Sequence, residues 1–147
     1  MDADKKRGST QVIDDDLNYA SKVAKYFKEE GLTELKSDYN TVSVIGAQSS
    51  GKSTLLNLVF KTDFQMLDQE SDGNQQTTKG IWVSADPSGR ILVFDIEGTD
   101  SAEREDQKAT FEQTTSLFSL VISDVILVNM WAQDVGRAAA SNYEIFK

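Results

Sequence analysis

Residues 42–57, VSVIGAQSSGKSTLLN, decide the fold of this chain. An apolar, β-branched run stops at Gly46, small residues follow, and Lys52 and Ser53 precede a leucine-rich stretch. Residues 46–53 fit the pattern G-x-x-x-x-G-K-S/T, whose glycines let backbone N–H groups point into a common concavity. Such a nest at the start of a helix binds anions. A chance match in a Gly/Ser loop is disfavoured because a predicted strand precedes the motif and a predicted helix follows it.

The motif predicts a phosphate-binding loop with a role for each of its groups. Its backbone amides would surround the phosphates, Lys52 would reach the β- and γ-phosphates, and the Ser53 hydroxyl would bind Mg²⁺. The predicted nucleotide-binding residues are Gly46, Ala47, Gln48, Ser49, Ser50, Gly51, Lys52, Ser53 and Thr54.

The composition excludes several other kinds of chemistry. The 147 residues include 24 acidic and 15 basic side chains, and the formal charge of -9 argues against a nucleic-acid partner. There are no cysteines and no histidines, which excludes disulfides, thiolate nucleophiles and the usual general base. Catalysis would therefore rest on carboxylates, hydroxyls, lysine, arginine, backbone amides or a hard metal ion.

The N-terminal segments predict a tail followed by a helix. Residues 1–13 are polar and charged, which predicts disorder, and they lack the apolar core of a signal peptide. Residues 14–30 predict a helix, with Asp14 to Asp16 at its N-cap and Gly31 as its C-terminal stop. No stretch approaches the ~18–20 apolar residues of a membrane span, so we expect a soluble, cytoplasmic chain.

Strands and helices alternate through the rest of the chain, which predicts an α/β fold. The pattern favours strands at 41–45, 81–85, 90–95 and 124–130, helices at 52–60, 108–122 and from 138, and a long loop at 61–80. The turn DPSG joins two of these strands as an antiparallel hairpin. We predict a three-layer P-loop NTPase (G-domain) fold with a mostly parallel sheet, truncated after about four strands.

Two further segments predict contacts to a metal ion and to the γ-phosphate. Asp95 ends the run ILVFD, so it would hold Mg²⁺ through water, and the Gly98 amide would meet the γ-phosphate. The alternative for Asp95 is a capping acid. In QTTKGIW, Thr77 or Thr78 could bind Mg²⁺ while the γ-phosphate is present, and the pattern alone does not choose between them. The alternative for these threonines is a solvated turn.

Four segments, GAQSSGKSTLLN, QQTTKGIW, DIEGTD and SDVILVNMWAQDVGR, together resemble the root-hair-defective class of atlastin-like, dynamin-superfamily GTPases. The resemblance implies Mg²⁺-dependent hydrolysis of GTP. It implies that Thr78 is the magnesium threonine and that Ser53, Thr78 and Asp95 form the metal site. It also implies catalytic roles for Lys52, Thr78 and Gly98.

The resemblance has implications for a whole protein of this class. Residues 14–147 would form the N-terminal part of a dynamin-type GTPase domain, which pairs with a second copy when nucleotide is bound. The family drives homotypic fusion of endoplasmic reticulum membranes and organises the reticulum network. It works on the cytoplasmic face of that membrane through stalk and membrane segments that we do not find in these residues.

Departures from the family leave alternatives open. The later Arg-Asp motif that reads guanine is not found, so the residues present do not choose between GTP and ATP. Ser49 stands where atlastin-type loops carry an arginine. A charge-stabilising group would then be Arg7, Arg104, a residue of another protomer or a monovalent cation.

The competing hypothesis is a truncated or degenerate domain that binds nucleotide weakly or not at all and acts at most as an interaction module. A sheet without its last strands would expose apolar surface from VILVNMW.

Overall fold

The computed structural model describes residues 6–14, 16–36, 38–65, 78–96 and 108–135. Its strands are β1 (Ser9–Ile13), β2 (Asn40–Gly46), β3 (Ile81–Ala85), β4 (Ile91–Ile96) and β5 (Val125–Asn129). Its α-helices are α1 (Val23–Glu29), α2 (Lys52–Phe60) and α3 (Lys108–Ile122), and short 3-10 turns lie at Leu32–Leu35 and Ala132–Asp134.

The strands form one mixed sheet in the order β1-β3-β4-β2-β5. β2 lies between β4 and β5 and is parallel to both. β3 pairs antiparallel with β4, as the DPSG turn predicts. The carboxyl ends of β2, β4 and β5 therefore meet at one edge of the sheet, which is where ligands bind in open α/β folds.

Two apolar clusters, one on each face of the sheet, make the fold three-layered. On one face, Leu56 of α2 packs with Val44 and Val93. On the other face, Val23 and Tyr26 of α1 pack with buried side chains of β3 and β4, and Phe118 of α3 packs against the same cluster. The predicted three-layer α/β fold with an antiparallel hairpin is confirmed.

The predicted disorder of residues 1–13 is wrong for residues 9–13, which form β1. This strand pairs antiparallel with β3, with Thr10 opposite Val83 and Gln11 opposite Trp82. The hairpin leaves one edge of β3 unpaired, and an unpaired edge is a template for another strand. Val12 is buried and Ile13 packs against the same cluster, so this polar segment contributes two apolar side chains to the core. The sheet therefore has one strand more than the four predicted.

The predicted helix at 14–30 is also corrected, because α1 begins only at Val23. The side chain of Asp14 accepts hydrogen bonds from the backbone N–H groups of Asp16 and Asn18 at 3.0 and 2.8 Å. An Asx turn of this kind competes with helix formation. The predicted stop is confirmed, since Gly31 takes a left-handed φ of 69° directly after the helix.

The remaining predicted elements agree with the structure to within about one residue at each end, inside the usual uncertainty of boundaries. The loop at 66–77 and the helix predicted from 138 lie outside the described residues. β5 has only β2 as a neighbour in the described sheet. Val125 and Trp131 near its ends are 51% and 54% exposed, so apolar surface is exposed at both ends of VILVNMW. Within the described ranges, no helix is both long and apolar enough to span a bilayer.

Candidate nucleotide-binding site

The candidate phosphate loop joins the end of β2 to the start of α2. Ser49 and Gly51 have left-handed φ angles of 56° and 82°, which turn successive backbone amides toward one concavity. A Cβ at Gly51 would meet nothing within 4 Å, so glycine is favoured there by its φ angle rather than by lack of space. The loop leads directly into the N-terminus of α2, where the helix dipole favours an anion.

Lys52 directs its ammonium group into this loop. The side chain is buried, with 6% of its surface exposed. Its Nζ atom donates hydrogen bonds to the carbonyl oxygens of Gly46 at 3.1 Å and Ala47 at 2.7 Å. These bonds hold a positive charge beside the candidate anion site. Of the other loop residues, Gln48 and Ser50 are half-buried, whereas Ser49 and Thr54 are exposed.

The three predicted metal ligands lie together although they come from three parts of the chain. Ser53 Oγ, at the start of α2, donates to Oδ2 of Asp95 at 2.5 Å. Thr78 Oγ1 lies 3.2 Å from Ser53 Oγ and 3.5 Å from Asp95 Oδ2. Asp95 is near the carboxyl end of β4, beside the β2 strand that leads into the loop. The fold therefore brings one carboxylate and two hydroxyls to the mouth of the phosphate loop.

The environment of Asp95 fits a cation. The residue is 1% exposed, and among the described residues its Oδ1 atom has no hydrogen-bond partner. Burial raises the pKa of Asp95 above its ordinary value, while the Ser53 hydrogen bond, the nearby Lys52 charge and Thr78 lower it. A buried oxygen without a partner is costly. Mg²⁺ takes one or two carboxylates together with hydroxyls, phosphates and water, so these residues fit that ion.

The sequence comparison assigns the chain to a family. Residues 45–147 match the model of the root hair defective 3 GTP-binding protein (RHD3) GTPase domain. The chain belongs to this family. It is 45% identical to Protein ROOT HAIR DEFECTIVE 3 homolog 1 of Arabidopsis thaliana, with 100% of the chain and 19% of that relative aligned. It is 44% identical to Protein SEY1 homolog 1 of Trichomonas vaginalis, with 93% of the chain and 17% of that relative aligned.

The chain thus spans less than a fifth of the length of these two relatives. Among solved structures, S. thermophilus NFeoB bound to GDP·AlF4⁻ aligns with a TM-score of 0.46 and 22% identity. That alignment covers 65% of the chain and 36% of the NFeoB chain.

Asn129 contacts the candidate phosphate loop, and the sequence reasoning missed it. Its side-chain amide donates to the carbonyl oxygen of Ser50 at 2.8 Å and to Ser50 Oγ at 3.0 Å. Ser50 Oγ in turn donates to the Ala47 carbonyl oxygen at 2.8 Å. A Cβ at Gly46 would overlap the Asn129 carbonyl oxygen, so the two backbones touch where the loop begins. The sequence did carry a signal for this contact. Asn129 is a polar residue at the carboxyl end of β5, which is parallel to β2, and ligands bind at that end of the strands in open α/β folds.

Asn57 was also missed, and it fixes the segment that follows α2. Its Oδ1 atom accepts hydrogen bonds from Thr62 Oγ1 at 2.9 Å and from the Phe64 backbone N–H at 2.8 Å. Its Nδ2 atom donates to the Phe64 carbonyl oxygen at 2.9 Å. These three hydrogen bonds all involve the Asn57 side-chain amide, and Thr62 and Phe64 are buried.

Two of the predicted site residues and one arginine lie outside the described residues, namely Thr77, Gly98 and Arg104. Arg7 is described, and it does not reach the site. Its Nη1 atom donates to the carbonyl oxygen of Glu30 at 2.5 Å and to Glu30 Oε2 at 3.2 Å. It lies against Gly89 in the turn before β4, at the opposite end of that strand from Asp95. Arg7 is therefore excluded as a charge-stabilising group in its own phosphate loop.

Proposed function

We propose that this chain binds GTP with Mg²⁺ and forms part of the site that hydrolyses it. The observation that carries the proposal is the convergence of Ser53, Thr78 and Asp95 beside the Lys52 ammonium group. Membership of the RHD3 GTPase domain family supports the choice of GTP.

Different described residues would bind the phosphates and the metal ion during phosphoryl transfer. The loop amides and Lys52 would bind the β- and γ-phosphates and neutralise their developing charge. Ser53 and Thr78 would hold Mg²⁺ directly, and Asp95 would hold it through water. When bound, the ion supplies positive charge to the phosphate oxygens.

No general base is required in this scheme, because positioning and electrostatics dominate phosphoryl transfer. The backbone carbonyl of Thr78 and the amide of Gly98 would orient the attacking water. Asn129 would hold the loop in its phosphate-binding shape. The source of any further positive charge would be Arg104, a second protomer or a monovalent cation.

For the whole protein, the resemblance to root-hair-defective GTPases supports a role in homotypic fusion of endoplasmic reticulum membranes. The protein would pair in a nucleotide-dependent homodimer and act on the cytoplasmic face of that membrane through segments other than those described. Because the chain spans less than a fifth of its relatives, these roles belong to the longer protein.

A second candidate function is an interaction module with weak or no nucleotide binding. The exposed apolar side chains around β5 favour it. Val125 and Trp131 are more than half exposed, and Leu117, Leu120 and Val121 on α3 are 62%, 57% and 75% exposed. Large exposed apolar patches are typical of contact sites and of aggregation-prone surfaces.

Phosphate release from GTP and from ATP, measured across a Mg²⁺ titration, separates the two candidates. The proposal expects Mg²⁺-dependent release from GTP in preference to ATP. Ser53→Ala should raise the half-saturating Mg²⁺ concentration at least about tenfold, because it removes a direct ligand. Ser21→Ala, a matched change in an exposed turn, should match the wild type. No Mg²⁺-dependent release by the wild type, together with no binding of either nucleotide, would support the interaction module.

A further inference from the structure

Thr78 reaches the metal site from a position three residues before Ile81, where β3 begins. Its side chain contacts Ser53 and Asp95, and its position therefore depends on how Lys79 and Gly80 are held against the sheet. Both of these neighbours contact the N-terminal strand or the segment beside it.

The carbonyl oxygen of Lys79 accepts two side-chain hydrogen bonds. Gln11 Nε2, from β1, donates at 3.0 Å, and Trp82 Nε1, from β3, donates at 2.8 Å. Gln11 and Trp82 are opposite each other in the β1–β3 ladder, so the amide and the indole reach the same acceptor from neighbouring strands. A carbonyl oxygen has two lone pairs, and these two donors account for both.

Gly80 packs directly against the chain that leaves β1. A Cβ at Gly80 would overlap the carbonyl oxygen of Ile13 and would lie 2.8 Å from the carbonyl carbon of Asp14. Gly80 also has a left-handed φ of 73°. The β1–β3 register shifts between Gln11 and Ile13, and a bulge of this kind re-aims neighbouring side chains.

β1 is itself fixed to the body of the domain. Tyr26 of α1 donates its hydroxyl to the Gly8 carbonyl oxygen at 2.8 Å and accepts from the Ala85 backbone N–H at 3.2 Å. The backbone N–H of Ala20 donates to the Val12 carbonyl oxygen at 2.8 Å. The contacts to Lys79 and Gly80 therefore come from an anchored strand.

We propose that Gln11, on β1, is a positioning residue for Thr78 of the nucleotide site. The bonds to the Lys79 carbonyl and the packing against Gly80 hold the Thr78 hydroxyl beside Ser53 and Asp95, so that Mg²⁺ binds without first ordering this part of the chain. The effect on Mg²⁺ rests on the proposed function, whereas the bracing of residues 78–80 by β1 does not.

The test uses the full chain and two readouts. Gln11→Leu removes the amide donor at similar size, and Thr10→Val changes the neighbouring position of the same strand as a matched control. In the nucleotide-free protein, hydrogen exchange of the backbone amides at 78–82 should rise about fivefold in Gln11→Leu, as expected for loss of one hydrogen bond. The half-saturating Mg²⁺ concentration for GTP hydrolysis should rise by a similar factor, while GDP affinity without Mg²⁺ stays unchanged. Gln11→Lys, which keeps a donor, should restore both values.

The outcomes distinguish this inference from the proposed function. Equal exchange at 78–82 in Gln11→Leu and Thr10→Val would overturn the inference, whether or not the chain binds GTP. Faster exchange with an unchanged Mg²⁺ requirement would overturn the role in metal binding. Faster exchange in a chain whose wild type shows no Mg²⁺-dependent GTP binding would overturn the proposed function and the role of Gln11 in metal binding, and would leave the bracing established.

Discussion

Asn129 donates its side-chain amide to the carbonyl oxygen of Ser50 at 2.8 Å and so ties the end of β5 to the phosphate loop. The same amide donates to the Ser50 hydroxyl, which bonds the Ala47 carbonyl oxygen. Lys52 also donates to that Ala47 oxygen. The loop is thus held in shape by a neighbouring strand before any phosphate arrives, which reduces the ordering that binding requires.

Asn129→Ala should therefore weaken GDP and GTP binding about tenfold, since two hydrogen bonds to the loop are lost. Titration of a fluorescent guanine nucleotide measures the change. Asn40→Ala removes an exposed asparagine at the far end of β2 and serves as the matched control. Equal affinities of the two variants would contradict the bracing role of Asn129.

Gly80→Ala should destabilise the domain far more than Gly31→Ala. Both glycines have a left-handed φ, of 73° and 69°, so both substitutions carry a backbone cost of about 1 kcal/mol. Only Gly80 has a neighbour that a Cβ would overlap, whereas a Cβ at Gly31 would meet nothing within 4 Å. Urea denaturation measures the difference in unfolding free energy between the two variants. A loss of stability in Gly80→Ala no larger than in Gly31→Ala would contradict the close packing of Gly80 against the end of β1.

Asp95→Asn should stabilise the metal-free domain at neutral pH. Burial raises the folded-state pKa of Asp95 above its ordinary value of 3.8. At pH values between the ordinary pKa and the folded-state pKa, the folded state therefore binds more protons than the unfolded state. The contribution of Asp95 to the free energy of unfolding therefore falls as the pH rises from 3.8 through the folded-state pKa, and it stays low above that.

Thermal unfolding across pH, in a chelator, measures this effect. The melting temperature of Asp95→Asn should exceed that of the wild type at about pH 7, and the difference should shrink toward about pH 4. Asp38→Asn, at an exposed carboxylate, is the matched control. Added Mg²⁺ and GTP should stabilise the wild type more than Asp95→Asn. A lower melting temperature for Asp95→Asn at about pH 7 would contradict the account.

The sequence predicts the centre of the fold well because local rules and burial agree there. The glycines and Lys52 of the phosphate loop, the buried run of β2 and the DPSG hairpin each carry a local signal. Ser53, Thr78 and Asp95 were identified by their spacing and by family resemblance, and the structure brings all three together.

The parts that were missed depend on contacts distant in sequence. The segment STQVI contains too little apolar character to predict a strand, and it becomes one because β3 presents an open edge. The roles of Gln11 and Asn129 arise from partners that are 68 and 79 residues away. Asp14 interrupts the predicted helix because its side chain bonds the backbone of Asp16 and Asn18, a competition that periodicity does not reveal.

The most direct test of the central claim is titration of fluorescent GTP and ATP analogues into the chain with Mg²⁺, in the wild type, Lys52→Ala and Lys25→Ala. Lys52→Ala removes the lysine whose ammonium group lies in the phosphate loop. Lys25→Ala removes an exposed lysine that pairs with Glu29. We expect saturable GTP binding that is tighter than ATP binding, unchanged by Lys25→Ala and weakened at least about a hundredfold by Lys52→Ala, because a charged group in contact with phosphate is lost. GTP binding of equal strength in wild type and Lys52→Ala would contradict the assignment of the phosphate loop.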